Sequence, residues 1–385
     1  MAHHNTVLSQ VLKHVPRHEF EKLANRVDGK IRSTALTRWS QFTALAVGQL
    51  NGRRSLRDIE SCLGAQGPMH YHLGIRAVSK SALARANERR DAMFYTQLFD
   101  LLYQRCAQHA PRHGFRFRRK LFSLDGTLLD ASMKLFPWAD YNRMKAAFKL
   151  HVGLDHDGLI PAFAHVTEGR VSENEQARRF ALPKGSVVVF DKGYNNYRWH
   201  KALTDQGIFW VTRIRGNALY RVMERRQTTD HPNITSDQII QYLAKQRDSE
   251  SLLPIRRVGY RDPKTGRHYV FITNHFEWSA QTIADIYQQR WQVELFFKWI
   301  KQNLKIKAFL GNSKNAVLTQ ILAALCVYLL IAYLKFLSKI SHSMQQILRL
   351  IHTNLFSRRD LMNLFEKPKP DKDPPPQLTL SLARR

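Results

Sequence analysis

The sequence predicts a mixed α/β sheet preceded by an all-helical region. Two observations support this. Residues 1 to 115 carry apolar residues at helical spacing, for example in "RWSQFTALAVGQLNGRRSLRDIESCL". From about residue 116, short runs rich in β-branched and aromatic residues follow, first in hairpin patterns and then alternating with a helical pattern. With 385 residues, the chain is long enough for two or three domains and a sizeable core.

The helical region contains recognisable start and stop signals. Asn51-Gly52 marks a turn between two helices. A longer amphipathic helix or helix pair spans "SKSALARANERRDAMFYTQLFDLLYQRCAQH", and Ser79 or Ser81 is the expected N-cap.

The predicted core begins with "KLFSLDGTLLD", a short strand that we expect to end in a turn at Asp125-Gly126. Two strands joined at "HDG" follow within "AAFKLHVGLDHDGLIPAFAHVTEG". "GSVVVFDKGYNNY" predicts a strand and then a turn at Asp191, "YRWHKALTDQG" a helix, and "IFWVTRIR" another strand.

The next stretch predicts a mostly β insertion before the core resumes. It contains one helical pattern, "TSDQIIQYLAKQ", and a hairpin with its turn at residues 262–266. The tail "KPKPDKDPPPQLTLSLARR" is Pro-rich and charged, and predicts disorder. The predicted division is 1–115 helical, 116–212 first part of the core, 213–278 β-rich insertion, 279–340 second part of the core, 341–366 helical, and 367–385 disordered.

The run "ILAALCVYLLIAYL" at residues 321–334 is apolar throughout. A membrane-spanning helix needs about 20 such residues. This run is shorter, and Asn315, Thr319 and Gln320 flank it, so we interpret residues 316–336 as a buried helix. A membrane-associated protein is the alternative interpretation.

The formal net charge of +29 predicts a polyanionic partner. Nucleic acid fits this charge best, and an anionic membrane surface is the competing partner. Three widely separated cysteines, Cys62, Cys106 and Cys326, argue against a disulfide framework and against a zinc site. A reducing cytoplasm is therefore the expected location.

The segment "YQQRWQVELFFKWIK" places four polar side chains on one face of a predicted helix. Tyr287, Arg290, Glu294 and Lys301 fall within an arc of roughly 60° at about 100° per residue. Beside that arc lies an apolar stripe, which comprises Ile286, Val293, Phe296, Phe297, Ile300 and Leu304. A solvated face with an incidental charge pair is one interpretation; a face that meets a metal and a bound anion is the other.

Two aspartates follow apolar strands, and ligand sites in α/β sheets favour such positions. Asp125 comes after "LFSL" and Asp191 after "VVVF". Each taken singly is ordinary turn chemistry. Together with Glu294 they predict an oxygen-only site suited to two Mg²⁺ ions, for which Mn²⁺ can substitute. Joined to the basic surface, this site predicts a phosphodiester substrate.

At these residues the sequence resembles transposases of the insertion-sequence-four family. The family signature (Tyr, two residues, Arg, three residues, Glu, six residues, Lys) is met by Tyr287, Arg290, Glu294 and Lys301. "DGT" matches the family's first aspartate motif, and "DKGY" matches the second with Lys192 in place of arginine. "SQVLKHVPRHEFEKL" and "GRRSLRDIE" resemble the helical domain that often precedes the catalytic core.

The resemblance implies a ribonuclease-H-like core interrupted by a β-rich insertion. It also implies cleavage of double-stranded DNA at terminal inverted repeats, attack of the freed 3′-hydroxyl on target DNA, and a hairpin intermediate. A homodimer on paired ends, with no membrane, is expected in a bacterial cytoplasm near the nucleoid.

The resemblance also implies roles for particular residues. Asp125, Asp191 and Glu294 would hold the metal ions, whereas Tyr287, Arg290 and Lys301 would bind DNA phosphates. A hairpin requires a flipped base to stack on an aromatic ring, and Tyr269 in "HYVFIT" is the candidate, with an ordinary strand aromatic as the alternative. Two other functions stay open: a metal-dependent nuclease without strand transfer, and a non-catalytic DNA-binding derivative.

Overall fold

The computed structural model describes residues 5–29, 36–53, 55–131, 140–142, 145–228, 231–243, 253–339 and 341–366. The tail 367–385, which the sequence predicts to be disordered, lies outside the described residues. The helices are α1 (Val7–Leu12), α2 (Arg17–Asp28), α3 (Arg38–Leu50), α4 (Leu56–Gly64), α5 (His70–Leu73), α6 (Lys80–Arg89), α7 (Met93–Ala107), α8 (Glu173–Ala177), α9 (Tyr197–Asp205), α10 (Ala280–Gln289), α11 (Trp291–Asn303), α12 (Lys314–Ser338) and α13 (Met344–Asn354).

Ten strands of the described chain form one sheet. Their bounds are β1 (Leu121–Ala131), β2 (Asp140–Asn142), β3 (Lys145–Asp155), β4 (Ile160–Glu168), β5 (Val187–Phe190), β6 (Phe209–Arg213), β7 (Tyr220–Arg225), β8 (Ile234–Tyr242), β9 (Ile255–Arg261) and β10 (His268–Thr273). The spatial order is β2-β3-β1-β5-β6-β10-β9-β8-β7, with β4 also paired to β3.

The half of the sheet that carries the predicted aspartates is mixed. Strand β3 pairs antiparallel with β1 and with β4, whereas β1, β5 and β6 run parallel. This arrangement, three antiparallel strands continued by two parallel ones, is the mixed α/β, ribonuclease-H-like fold. The remaining strands β7 to β10 extend the same sheet beyond β6 through antiparallel pairs.

Helices pack on both faces of the parallel strands. Val188 and Phe190 of β5 point into a core with Trp199 of α9, whereas Val187 and Val189 point into a core with α10. This alternation follows from the period-2 geometry of a strand. Helix α11 continues along β1 and β3 on the α10 side. The face covered by α10 and α11 is therefore the face where the signature residues meet the sheet.

The largest core joins the two ends of the chain. It contains Val7 of α1, Phe42 of α3 and Leu98 of α7, together with residues of α11, α12 and α13. Backbone bonds reinforce this contact, because the Leu8 amide donates to the Leu355 carbonyl at 2.8 Å. The N-terminal helices consequently share their apolar interior with helices that follow the signature.

Helix α12 lies in the middle of this core. It is long and apolar enough to span a membrane by length and composition, but almost its whole apolar stretch is buried inside the protein. Polar residues near its start are used internally: the Gln320 amide donates to the carbonyls of Lys305 and Ala308. The burial confirms the buried-helix interpretation of residues 316–336.

Three local predictions are wrong. Asp125 does not begin a turn, because β1 continues through Asp125-Gly126 to Ala131 and pairs with β3 along that length. The segment "TSDQIIQYLAKQ" is not a helix where the structure describes it. Ile234–Tyr242 forms strand β8, because pairing with β7 and β9 on both sides outweighs the weak helical pattern.

The third correction concerns the signature helix, which is two helices and not one. Helix α10 ends at Gln289 and α11 begins at Trp291. At the junction the amide of Arg290 donates to the carbonyl of Tyr287, and the amide of Val293 to the carbonyl of Arg290. These bonds span three residues, as in a tightened 3₁₀ turn, so Arg290 lies outside regular α-helix.

Candidate active site

The two aspartates are neighbours across the parallel pair β1–β5. The register aligns Leu124 with Phe190, so Asp125 and Asp191 follow as the next residues on adjacent strands. Paired positions on neighbouring strands lie about 5 Å apart and point to the same face. Each aspartate is partly exposed, with side-chain accessibilities of 20% and 36%. Sheet geometry alone therefore brings these two carboxylates together.

Arg290 links the helices to the aspartates. Its guanidinium Nη2 lies 2.7 Å from Oε1 of Glu294, one helical turn further on, and Nη1 lies 3.8 Å from Oδ2 of Asp125. The charge of Arg290 also acts on Asp191. Two of the predicted carboxylates thus contact one guanidinium, and its charge also affects the third. Burial lowers the pKa of Arg290, but Tyr287, Glu294 and Asp125 outweigh that effect and the pKa is raised, so the group stays charged.

Tyr287 and Arg213 hold the second aspartate. The Tyr287 hydroxyl donates to Oδ1 of Asp191 at 3.1 Å, and Nη2 of Arg213 lies 3.4 Å from the same oxygen. Partial burial by itself raises the pKa of Asp191, but the Lys192 amide, the Tyr287 hydroxyl and the two arginine charges lower it below its ordinary value. Burial also raises the pKa of Tyr287 to about 12. Asp191 is accordingly an anion beside a protonated phenol.

Lys301 reaches the same strand as the first aspartate. Its Nζ lies 2.6 Å from Oγ1 of Thr127, two residues beyond Asp125 and on the same face of β1. The four signature residues therefore all face strands β1 and β5, although the helix is interrupted at Arg290. The solvated-face alternative is wrong, because Tyr287, Arg290 and Lys301 are each bonded to the groups that this face covers.

A cavity of about 290 Å³ lies next to the residues that contact the three carboxylates. Arg213, Tyr287 and Arg290 form its inner wall, and the Arg213 guanidinium lies 5.8 Å from the Tyr269 ring centre. Tyr269 therefore lines a space next to the site. The remaining wall is Tyr260, Asp262, Phe271, Ala284, Gln288 and Trp291.

Sequence reasoning missed Arg213 and Trp291. Arg213 is the last residue of β6, at the same edge as Asp191, so the strand-end rule that selected the aspartates also selects it. Trp291 begins α11 and is 55% exposed beside the cavity. An exposed tryptophan inside the signature is the signal that points to it, since large apolar side chains at a cavity rim mark binding surfaces.

The chemistry of the donor set suits a hard divalent cation. Asp125, Asp191 and Glu294 offer oxygen ligands only, and they already gather around a positive group. As they stand, no three carboxylate, imidazole or thiol groups of the described chain are close enough to hold one ion. The Arg290 guanidinium contacts two of these three carboxylates, Asp125 and Glu294.

Comparisons with known proteins identify the family of this chain. Residues 116–330 match the family model described as "Transposase DDE domain", and residues 3–76 match a domain of unknown function, DUF4372. A putative transposase y4zB of Sinorhizobium fredii is 34% identical over 292 residues, 75% of this chain and 80% of the relative.

Two further relatives carry names of insertion sequences. A probable transposase for insertion sequence element IS5377 of Geobacillus stearothermophilus is 27% identical and covers 87% of this chain and 86% of its own. A putative transposase for insertion sequence element IS4SA of Synechocystis sp. is 22% identical and covers 69% and 75%.

A solved structure, a piggyBac transposase synaptic complex with hairpin DNA, aligns with a TM-score of 0.44 and 12% identity, covering 94% of this chain and 82% of that one. The family model spans more than half of the chain, and its residues include all three carboxylates and the four signature residues. Members of this family generally depend on divalent metal. The chain belongs to the DDE transposases, as an insertion-sequence transposase with a DUF4372 region at its N-terminus.

Proposed function

We propose that this chain binds the ends of a bacterial insertion sequence and catalyses both DNA cleavage and strand transfer. Water would cleave one strand at each end, and the freed 3′-hydroxyl would then attack a phosphodiester of the target. The observation that carries this proposal is the position of Asp125 and Asp191 side by side on β1 and β5, with Arg290 contacting both Asp125 and Glu294.

Asp125, Asp191 and Glu294 would hold two Mg²⁺ ions, or Mn²⁺ in their place. When bound, such ions activate the attacking oxygen and stabilise the leaving one. In the DNA complex, the positive side chains would contact phosphates instead of carboxylates. Arg290 and Lys301, together with Arg213, bind phosphate oxygens, and Tyr287 donates a hydrogen bond beside them. An arginine bound to carboxylates in the free protein thus becomes a phosphate ligand in the complex.

A cut-and-paste pathway through a hairpin would place one flipped base in the cavity next to these phosphates. Tyr269 lies on its wall with Arg213 between it and Tyr287, and Trp291 lies at its rim. Stacking on an aromatic ring is worth about 1–3 kcal/mol per base. Tyr269→Ala and Trp291→Ala, compared for hairpin yield, would show which ring receives the base; an unchanged yield in both would exclude this cavity.

The proposed partners are duplex DNA at the terminal inverted repeats and target DNA, bound by a homodimer in the cytoplasm at the nucleoid. The net charge of +29 supports the DNA partner. The division into a DNA-binding region 1–115, a core 116–212 and 279–340 interrupted by 213–278, and a helical region 341–366 belongs to this proposal too.

The test is a cleavage and strand-transfer assay with purified protein, Mg²⁺ or Mn²⁺, and DNA carrying the element's own ends. Asp125→Asn, Asp191→Asn and Glu294→Gln are compared with the wild type. We expect metal-dependent nicking and joined products, with both lost by at least a thousandfold in each variant.

Nicking without joined products would instead identify a metal-dependent nuclease. Specific DNA binding with no metal-dependent chemistry would identify a non-catalytic DNA-binding derivative. Thermal unfolding of each variant serves as the control that the fold is intact.

A further inference from the structure

A basic segment immediately before β1 lies outside the site described above. From His109 to Lys120 the chain contains four arginines and one lysine, and no carboxylate. Its side chains alternate: Phe115 and Phe117 are half-buried, whereas Arg116 and Arg118 are exposed. Arg112, Arg116 and Arg118 have no ion-pair partner among the described residues. We call Arg112–Arg119 the basic ribbon.

Stacked aromatic rings fix the ribbon in place. The rings of Phe115 and Phe117 stack with centres 5.1 Å apart, and Phe117 stacks on Trp278 at 4.6 Å. Trp278 in turn stacks on His275 at 3.7 Å. Each offset-stacked pair contributes beyond simple burial. With every second side chain anchored in this way, the intervening arginines are held outward on a fixed backbone instead of a loose loop.

Two acidic groups near the ribbon are already neutralised. Asp155 is fully buried and Asp157 nearly so, and both accept ion pairs from Nζ of Lys120 at 2.8 Å. The amide of His113 also donates to Asp157. The exposed arginines therefore present unbalanced positive charge.

This positive surface continues past the ribbon. Arg112 lines an open groove of about 650 Å³ together with Lys335 and Lys339 at the end of α12. Exposed cations along a rigid backbone are the pattern that binds nucleic-acid phosphates. The ribbon and the groove thus form one extended basic surface.

The ribbon lies at the start of the parallel strands β1 and β5, whereas the carboxylates Asp125 and Asp191 lie further along the same two strands. It leads into the first residue of β1, and Nη1 of Arg119 lies 3.3 Å from the carbonyl of Gly185, just before β5 begins. Asp125 and Asp191 each lie four residues further along these parallel strands, which is about 13 Å. Helix α10 covers the face of the sheet between them, because Trp278, just before its start, stacks on Phe117, and Tyr287, near its end, bonds Asp191. A straight duplex with its scissile phosphate at the carboxylates is therefore separated from the ribbon by this helix.

We propose that the basic ribbon, with Lys335 and Lys339, binds the phosphate backbone of a second DNA duplex while the first duplex occupies the site around Asp125 and Asp191. The contact is sequence-independent, since the exposed groups are arginines and lysines on a surface and not in a groove-reading helix. This inference rests on the proposed function for the identity of the first duplex.

The experiment saturates the protein with an unlabelled end duplex in EDTA and then titrates a labelled duplex without end sequence, followed by fluorescence anisotropy at several salt concentrations. We expect Arg116→Ala/Arg118→Ala to weaken binding of the second duplex by roughly tenfold and to reduce its salt slope by about 2. End-duplex affinity and single-end cleavage should stay within about twofold of wild type.

Two matched variants test the cause. Arg116→Lys/Arg118→Lys keeps the charge and should keep binding of the second duplex. Arg349→Ala/Arg359→Ala removes the same charge from exposed positions at the C-terminal end and should leave it unchanged.

Equal affinity of wild type and Arg116→Ala/Arg118→Ala for the second duplex would overturn the inference. An equal loss for both duplexes would overturn it as well, because the ribbon would then serve the first duplex. Since no metal is present, the result is independent of whether the protein cleaves DNA. If no end duplex binds specifically, the proposed function fails, and the salt slope for duplex without end sequence still tests the ribbon.

Discussion

At the scale of single residues, the site is defined by positive groups that neutralise negative ones. Arg290 takes the position between Asp125 and Glu294, and Arg213 and Tyr287 take the positions beside Asp191. Neighbouring carboxylates repel each other strongly in a partly buried site. Tyr287, Arg213 and Arg290 lower the pKa of Asp191 below its ordinary value, so residues proposed to bind phosphate also keep this carboxylate ionised in the free protein.

Tyr287→Phe tests this arrangement. The substitution removes the hydroxyl bonded to Asp191 but keeps the ring that packs 4.8 Å from Phe271. Because a hydrogen bond to a charged group is worth about 1.5–3 kcal/mol, we expect the cleavage rate to fall roughly tenfold to a hundredfold, with little change in melting temperature. Single-turnover cleavage and thermal unfolding measure the two effects. Tyr260→Phe, in the same cavity wall, is the control, and a wild-type rate in Tyr287→Phe would refute the role.

At the scale of elements, helix α1 near the N-terminus is hydrogen-bonded to the segment that follows α13. The amide of Val7 donates to the carbonyl of Ser357, and the Gln10 side chain bonds both the Arg359 carbonyl and the Leu361 amide. Helix α1 has only six residues, too few to be stable alone. It therefore depends on α13 and the segment after it.

Truncation after Lys339 is expected to release the N-terminal helices. Loss of α13 exposes buried Val7, Leu8 and Val11, and with them part of the shared core. We predict that amide hydrogen exchange of α1 becomes as fast as in an unfolded chain, and that end-duplex binding weakens. Truncation after Glu366, which keeps every contact of α1 named above, is the control. Protection of α1 equal to that of the full chain in the shorter protein would contradict the prediction.

At the scale of the whole molecule, buried histidines make the fold sensitive to acid. Burial lowers the pKa of His151 and His156 to about 4, and burial with the charge of Arg215 lowers that of His200 to about 3. In the unfolded chain these groups bind protons near pH 6.5. Between these values the unfolded state holds more protons, so stability falls as pH decreases from about 7 towards 4.

His200→Phe isolates one of these groups. The ring at this position stacks on Trp210 at 4.2 Å, an arrangement that phenylalanine can keep. Each such histidine contributes a slope of up to about 1.4 kcal/mol per pH unit. We expect the variant to take up about one proton fewer on unfolding. The pH slope of its unfolding free energy, measured by denaturant titration between pH 5 and 7, should be correspondingly smaller. An unchanged slope would show that His200 binds protons equally in the folded and unfolded states.

The sequence by itself determined the fold class, the buried nature of α12 and the family. These three conclusions depend on hydrophobic periodicity, on polar residues at strand ends and on one motif of fixed spacing. Each of these patterns can be recognised within a short stretch of sequence. The seven proposed site residues also came from the sequence: Asp125, Asp191 and the four signature residues lie in recognisable motifs, whereas Tyr269 followed only from the family resemblance.

Only the tertiary structure decided three other features. Strand β8 forms because β7 and β9 pair with it, and Asp125 lies inside β1 because β3 extends beyond the Asp-Gly pair. The position of Arg213 beside Asp191 depends on β6 lying next to β5. Each of these features is fixed by hydrogen bonds and charges between segments distant in the chain, which no local pattern of residues records.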